Sequence, residues 1–195
     1  MYIPSPRSHL QGFSLVTVMI IMIVVSLLGV AASQMVLLSE RSARYDRDAQ
    51  IAYQAAEAAL MDAEFDLRGP NSSVAKRVDN FSTTSQLGFE NGCGQGVDLG
   101  LCLPSTGTKE LAYTIDFTDQ SAGAKTVKFG DFTGRTLAFG TSGPQPAQLP
   151  RYIIELIPDQ TSTSPGKYLH RVTAVGFGPR KETQAVLQMV FKKEK

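Results

Sequence analysis

From Phe13 to Leu38 the chain carries no charged residue, and between Pro6 and Pro70 it carries no proline. An uncharged run of this length constrains the fold more than any other feature. It exceeds the about 20 apolar residues that a helix needs to cross a bilayer. Its polar members, Ser14, Thr17, Ser26, Ser33 and Gln34, are all neutral. The serines and threonine can return their hydroxyls to the carbonyl one turn back, which makes them tolerable in hydrocarbon. Residues 40–67 continue the helical pattern in a different style. Tyr45, Ala49, Ala52, Ala56, Ala59, Leu60, Ala63 and Leu67 form an apolar stripe at helical spacing. Glu40–Arg44, Arg44–Asp48 and Glu64–Arg68 are spaced to pair on the other side, and Gly69-Pro70-Asn71 supplies the stop. A single helix over residues 13–67 would be roughly 80 Å long, more than a small domain can bury. Half of it needs a membrane or a bundle of like helices.

The rest of the composition narrows the function. A net charge of +1 without a basic cluster argues against nucleic acid as a partner. Two histidines, His9 and His170, and two cysteines are a thin inventory for an enzyme. No catalytic constellation stands out, and no cofactor is implied. A lone His170 in a strand reads as a satisfied surface or edge residue. Asp116 and Asp119 are too few for a calcium site. Gly92-x-Gly94-x-Gly96 follows no strand and opens no helix, so it reads as a turn and not as a phosphate loop.

After the helix, residues 71–110 read as a long, glycine-rich surface loop with short elements. Strands are expected at Leu111–Phe117, Lys125–Phe129, Arg135–Phe139, Arg151–Ile157, Tyr168–Phe177 and Thr183–Phe191, the second and third pairing as a hairpin. Residues 140–150 read as a proline-rich connection. A helix followed by strands predicts an α+β fold, with an antiparallel sheet laid on the long helix.

The N-terminal motif supports a more specific expectation. Gly12 followed by Phe13-Ser14-Leu15-Val16 and an unbroken apolar helix resembles the class III signal of type IV pilins. Glu40-Arg41, the run Ala52-Tyr53-Gln54-Ala55-Ala56-Glu57-Ala58-Ala59-Leu60, and Ala63-Glu64 are similar to the N-terminal signature of PilX-type minor pilins. Residues 168–176 resemble the end strand of that group. The resemblance covers residues 12–67 and 168–192, while the middle matches only in general character. It implies a pilin fold, with residues 1–12 as a removed leader, 13–38 as a transmembrane and filament-core helix, and 39–195 as a periplasmic domain that includes the amphipathic helix 39–67. It also implies cleavage after Gly12 by a prepilin peptidase, methylation of Phe13, and residence in the bacterial inner membrane before the pilus. The implied partners are other minor pilins and the major pilin, through the helix, and a tip adhesin. The implied role is to prime pilus assembly at or near the tip, in support of piliation and twitching motility.

Two departures from the family stand out. Most pilins carry a glutamate at the position of Thr17, where it is thought to pair with the N-terminal amine of a neighbouring subunit. A threonine cannot neutralise that ammonium, so the position suits a tip or initiator subunit, or has simply drifted. A helix-kinking proline is also absent, and Gly29 is the residue that could loosen the helix, at about 1 kcal/mol relative to alanine.

In an exported domain, Cys93 and Cys102 around a glycine-rich turn read as a disulfide; two thiols without a neighbouring His are too few for a metal. Arg7 against Arg41, Arg44 and Arg47 would place the C-terminal side inside the cell. The acids Glu40, Asp46 and Asp48 among those arginines, together with the disulfide, favour a periplasmic domain instead. Two other readings stay open: a type II secretion pseudopilin, and a soluble periplasmic binding protein whose ordinary signal peptide ends near Val30-Ala31-Ala32, leaving Ser33 as the first residue.

Overall fold

The structure, a computed structural model, describes residues 13–69, 77–104, 111–140, 142–160 and 166–193. Helix α1 runs Phe13–Arg68, continuous through Gly29. The chain divides into Met1–Tyr45 and Asp46–Lys195. In the first unit the large apolar side chains from Leu15 to Leu38 are all exposed, between 49% and 71%. Ser26 Oγ donates to Met22 O at 2.7 Å and Ser33 Oγ to Gly29 O at 3.0 Å, so these hydroxyls are satisfied within the helix.

In the second unit α1 lies on a mixed sheet. The strands are β1 Leu101–Cys102, β2 Val127–Lys128, β3 Arg151–Pro158, β4 Tyr168–Phe177 and β5 Gln184–Phe191. The spatial order is β1-β3-β4-β5, with β2 also pairing β3. The three long strands are antiparallel and β1 joins β3 in parallel. Ala52, Ala56, Ala59, Ala63 and Leu67 of the predicted stripe are buried, whereas Tyr45 and Ala49 are exposed. Small side chains let backbones approach closely, and Gly176 on β4 shows how closely. A Cβ there would lie 2.1 Å from Ala52 O and 2.2 Å from Ala56 N. Gly69, at φ +74°, ends the helix by donating its amide to Phe65 O at 2.8 Å.

The sheet is a middle layer. On its helix side Tyr152, Ile154, Leu156, Val172 and Ala174 pack with Ala59, Ala63 and Leu67. On its other side Ile153, Val175 and Phe177 pack with Cys93, Cys102, Leu111 and Phe117. The region between helix and sheet therefore corrects the expectation of a surface loop. Phe81, Phe89 and Leu101 belong to the core and Arg77 is buried; residues 71–76 and 105–110 lie outside the described residues.

Two other expected strands are also absent. Leu111–Tyr113 is a 3-10 turn and Ile115–Phe117 has no ladder. Asp116 accepts from the Thr118 amide at 2.8 Å and Asp119 from the Ser121 amide at 2.8 Å. Such local bonds compete with strand pairing. The expected hairpin of 125–129 with 135–139 does not form. Val127–Lys128 pairs with Arg151–Tyr152 instead, and 135–139 is irregular. The chain turns at Gly130 (φ +85°), whose amide is held by Asp62 of the helix.

Candidate assembly site

Two features of α1 stand out: the bare apolar stretch of its first unit, and the buried polar network around Asp62 and Asp66 in the second. The amphipathic half of α1 carries charges where a core stripe would carry none. Asp62 and Asp66 stand one turn apart among the buried alanines, and both are buried. Burial of an ionised carboxylate is costly unless it is paired and hydrogen-bonded, and each acid is met by a different covering segment.

Arg77 Nε donates to both Asp66 oxygens at 3.0 Å, and its Nη2 also pairs with Asp66. Its Nη1 donates to Leu99 O at 2.5 Å and Val97 O at 3.3 Å. The guanidinium lies 3.5 Å from the centre of the Phe132 ring, and Tyr152 Oη donates to Asp66 at 3.0 Å. One arginine thus binds the helix, the 97–99 turn and an aromatic wall. Asp62 accepts from the Gly130 amide at 2.8 Å and the Thr133 hydroxyl at 2.5 Å, with Arg135 Nη1 3.8 Å away. Burial pushes the Asp62 carboxyl above the usual range, and the Gly130 amide, the Thr133 hydroxyl and Arg135 pull it back only in part. Tyr152 is held well above its ordinary value, first by burial and then by the charge of Asp66.

On the other face, Glu155 is fully buried and accepts from Arg171 Nε and Nη2 at 3.0 and 3.1 Å, a two-pronged pair between directly opposed residues of β3 and β4. Cys93 and Cys102 are joined as a disulfide with Cα atoms 4.1 Å apart. The bond closes the turn over the core at Phe117 and Phe177, and Cys93 takes φ +67° to do so.

His170 corrects the expectation of a surface or edge residue. It is fully buried, edge-on to Phe81 at 5.7 Å between ring centres and tilted against Phe89 at 5.8 Å. Neither ring nitrogen makes a hydrogen bond of good geometry among the described residues. Burial lowers its pKa to about 4, the charge of Lys193 adds to this, and the Phe191 backbone opposes it. A histidine walled by phenylalanines is a packing residue, out of reach of any substrate. Among the described residues no three His, Cys, Asp or Glu side chains converge on a metal position.

Gly12 lies outside the described residues, and Phe13 and Thr17 sit in the first turns of α1, which holds no acid in its first turn. Sequence reading missed the buried network because it placed the charges of 40–67 on the open side of the helix. The signal was available: Asp62 and Asp66 interrupt the alanine stripe beside Ala59, Ala63 and Leu67.

Among the described residues one helix is long and apolar enough to cross a membrane. An apolar helix that continues as an alanine-lined spine beneath a mixed, largely antiparallel sheet is a pilin-like α+β arrangement. A family model described as PilX N-terminal matches residues 11–60, and one described as type IV pilus assembly protein PilX C-term matches residues 79–193. The chain belongs to the PilX family of type IV pilus minor pilins, structural components of the pilus. No curated protein and no solved structure matches it.

Proposed function

We propose that this subunit is cut after Gly12 by a prepilin peptidase, methylated on Phe13, and held in the bacterial inner membrane by residues 13–38 with its C-terminal domain in the periplasm. It then joins other minor pilins and the major pilin through the same helix. The complex primes polymerisation and remains at or near the tip, where it supports piliation, twitching motility and the carriage of a tip adhesin. The observation that carries this reading is an exposed, uncharged stretch of α1, residues 15–38, bearing Thr17 where most pilins place a carboxylate. A helix drawn out of lipid must rebury its apolar surface, at about 25 cal/mol per Å², and a bundle of like helices offers that burial. Without a carboxylate at position 17 the subunit has no group to neutralise the amine of a subunit already in place, which suits the first position.

The test is the N-terminal mass of the protein from membranes with and without prepilin peptidase. A methylated Phe13 that disappears without the peptidase is expected; a start at Ser33 in both would overturn the reading. A deletion strain is expected to show fewer surface pili and reduced twitching, and normal piliation would remove the priming role.

A further inference from the structure

The dipeptide Asn91-Gly92 stands at the tip of the turn that leads into the disulfide. The Cys93 amide donates to Glu90 O at 3.2 Å and closes the turn. Gly92 holds its third position at φ +74°, where a residue without a Cβ is favoured. Both residues are exposed, and a Cβ on Gly92 would meet no atom within 4 Å. Among the described residues, neither the Asn91 side chain nor the Gly92 amide has a hydrogen-bond partner. Asn80 is the opposite case. Its Nδ2 donates to Asp98 Oδ1 at 2.8 Å, the residue after it is the buried Phe81, and the Phe81 amide donates to Val78 O at 3.3 Å.

We propose that Asn91 is a self-modifying site, where the chain converts its own asparagine to isoaspartate and aspartate with water as the only co-reactant. The Gly92 main-chain nitrogen gives its proton to solvent base and attacks Cγ of Asn91. The new N–Cγ bond forms, the bond from Cγ to Nδ2 breaks, and ammonia leaves with a proton from solvent. The result is a five-membered succinimide. Water opens it at the former side-chain carbonyl to leave aspartate, or at the main-chain carbonyl of residue 91 to leave isoaspartate. Nothing is oxidised or reduced; the net change is hydrolysis of one amide. Glycine at position 92 permits the attack, because a side chain there would crowd the nitrogen and a hydrogen-bonded amide would not be free to react. The position also sets the consequence. Glu90 is fastened to the strand below, its amide donating to Leu101 O at 3.3 Å and its carbonyl accepting from Leu103 at 2.9 Å. Cys93 is fastened by the disulfide, at φ +67°. Isoaspartate adds one methylene to the main chain between these two anchors, which breaks the Cys93–Glu90 bond, and it sets a new carboxylate beside Glu90. Solvent does not reverse the reaction, so the modified fraction records the age of each molecule. The inference stands apart from the assembly reading, since it needs neither a membrane nor a partner.

The test follows the full-length, disulfide-bonded protein in detergent over several weeks at pH 6.5 and pH 8.5, with peptide fragmentation that reads positions 80 and 91 separately. Conversion at Asn91 is expected to be at least tenfold faster than at Asn80, with isoaspartate among the products. It is expected to be severalfold faster at pH 8.5, because the Gly92 nitrogen must lose its proton before it attacks. Asn91→Gln, at an exposed position, is expected to remove the reaction while leaving the melting temperature unchanged, since glutamine would have to close a larger ring. Conversion at Asn91 no faster than at Asn80 would overturn the proposal, and aspartate without isoaspartate would overturn the succinimide route. Undiminished isoaspartate in Asn91→Gln would place the reaction at another residue and overturn the choice of site.

Discussion

At the scale of single residues, the interior of the domain depends on a few charged side chains more than its alanine-rich helix suggests. Removing one partner of a buried ion pair strands the other, at about 3–5 kcal/mol, whereas replacing both with apolar groups is often neutral. Arg77→Met is therefore expected to lower unfolding stability by about that amount in urea titrations of the detergent-solubilised protein. Arg77→Met combined with Asp66→Leu is expected to recover much of the loss. Equal losses in the single and double variants would show that Arg77 acts through its carbonyl and ring contacts instead. His170 gives a pH dependence of definite sign. Its folded pKa of about 4 lies below the ordinary 6.5, so its neutral form is favoured by folding. The stabilisation is full above pH 6.5 and is lost as pH falls towards 4, amounting to about 3 kcal/mol at about 1.4 kcal/mol per pH unit. His170→Phe is expected to flatten the fall in melting temperature between pH 7.5 and pH 4.5. A variant as acid-sensitive as the parent would mean that other groups control it.

At the scale of elements, the contact between helix and sheet depends on what is missing from the side chains. Gly176 lets β4 come against the helix backbone at Ala52 and Ala56. Because the nearest atoms are main-chain, they cannot rotate away. Gly176→Ala is expected to cost about 1–3 kcal/mol, read as a lowered melting temperature with the helix content of the intact chain retained near 20 °C. An unchanged melting temperature would mean that helix and strand sit farther apart. The long elements were legible because their patterns are strong: the helix from its uncharged run and alanine stripe, β3 and β4 from long apolar strands, and β5 from strict alternation. Leu111–Phe117 misled because Leu111, Ile115 and Phe117 do face the sheet, but as part of a covering segment fixed by Asp116 and Asp119. The polar network escaped because a carboxylate on a helix looks the same in sequence whether it faces water or an arginine eleven residues on. The buried role of 77–104 was hidden for a related reason. Phe81, Phe89 and Leu101 are spaced too irregularly to show a period, and their burial depends on where the helix places Asp66.

At the scale of the whole molecule, the features divide between an exposed apolar stretch of helix and a domain with its own core. The decisive variant is Thr17→Glu, which introduces the carboxylate that most pilins carry there without touching the domain. If the missing acid confines the subunit to the tip, labelled Thr17→Glu is expected to appear along the pilus shaft, with severalfold more copies per filament by immunogold counting. A distribution identical to the parent would mean that Thr17 has no part in placement.

Asp62 and Asp66 are four residues apart, about 6 Å along the helix axis, and Asp66 is only two residues from the last helical residue, Arg68. The segments around Arg77 and Gly130 are both fastened within that single turn. A pilus subunit towed by its helix would pass tension to these covering segments through two carboxylates at one point and not along a distributed seam. Unwinding from the Gly69 end by about two turns would slacken both attachments in succession, Asp66 first and Asp62 next, so under load the covering is expected to yield while the three long strands still hold.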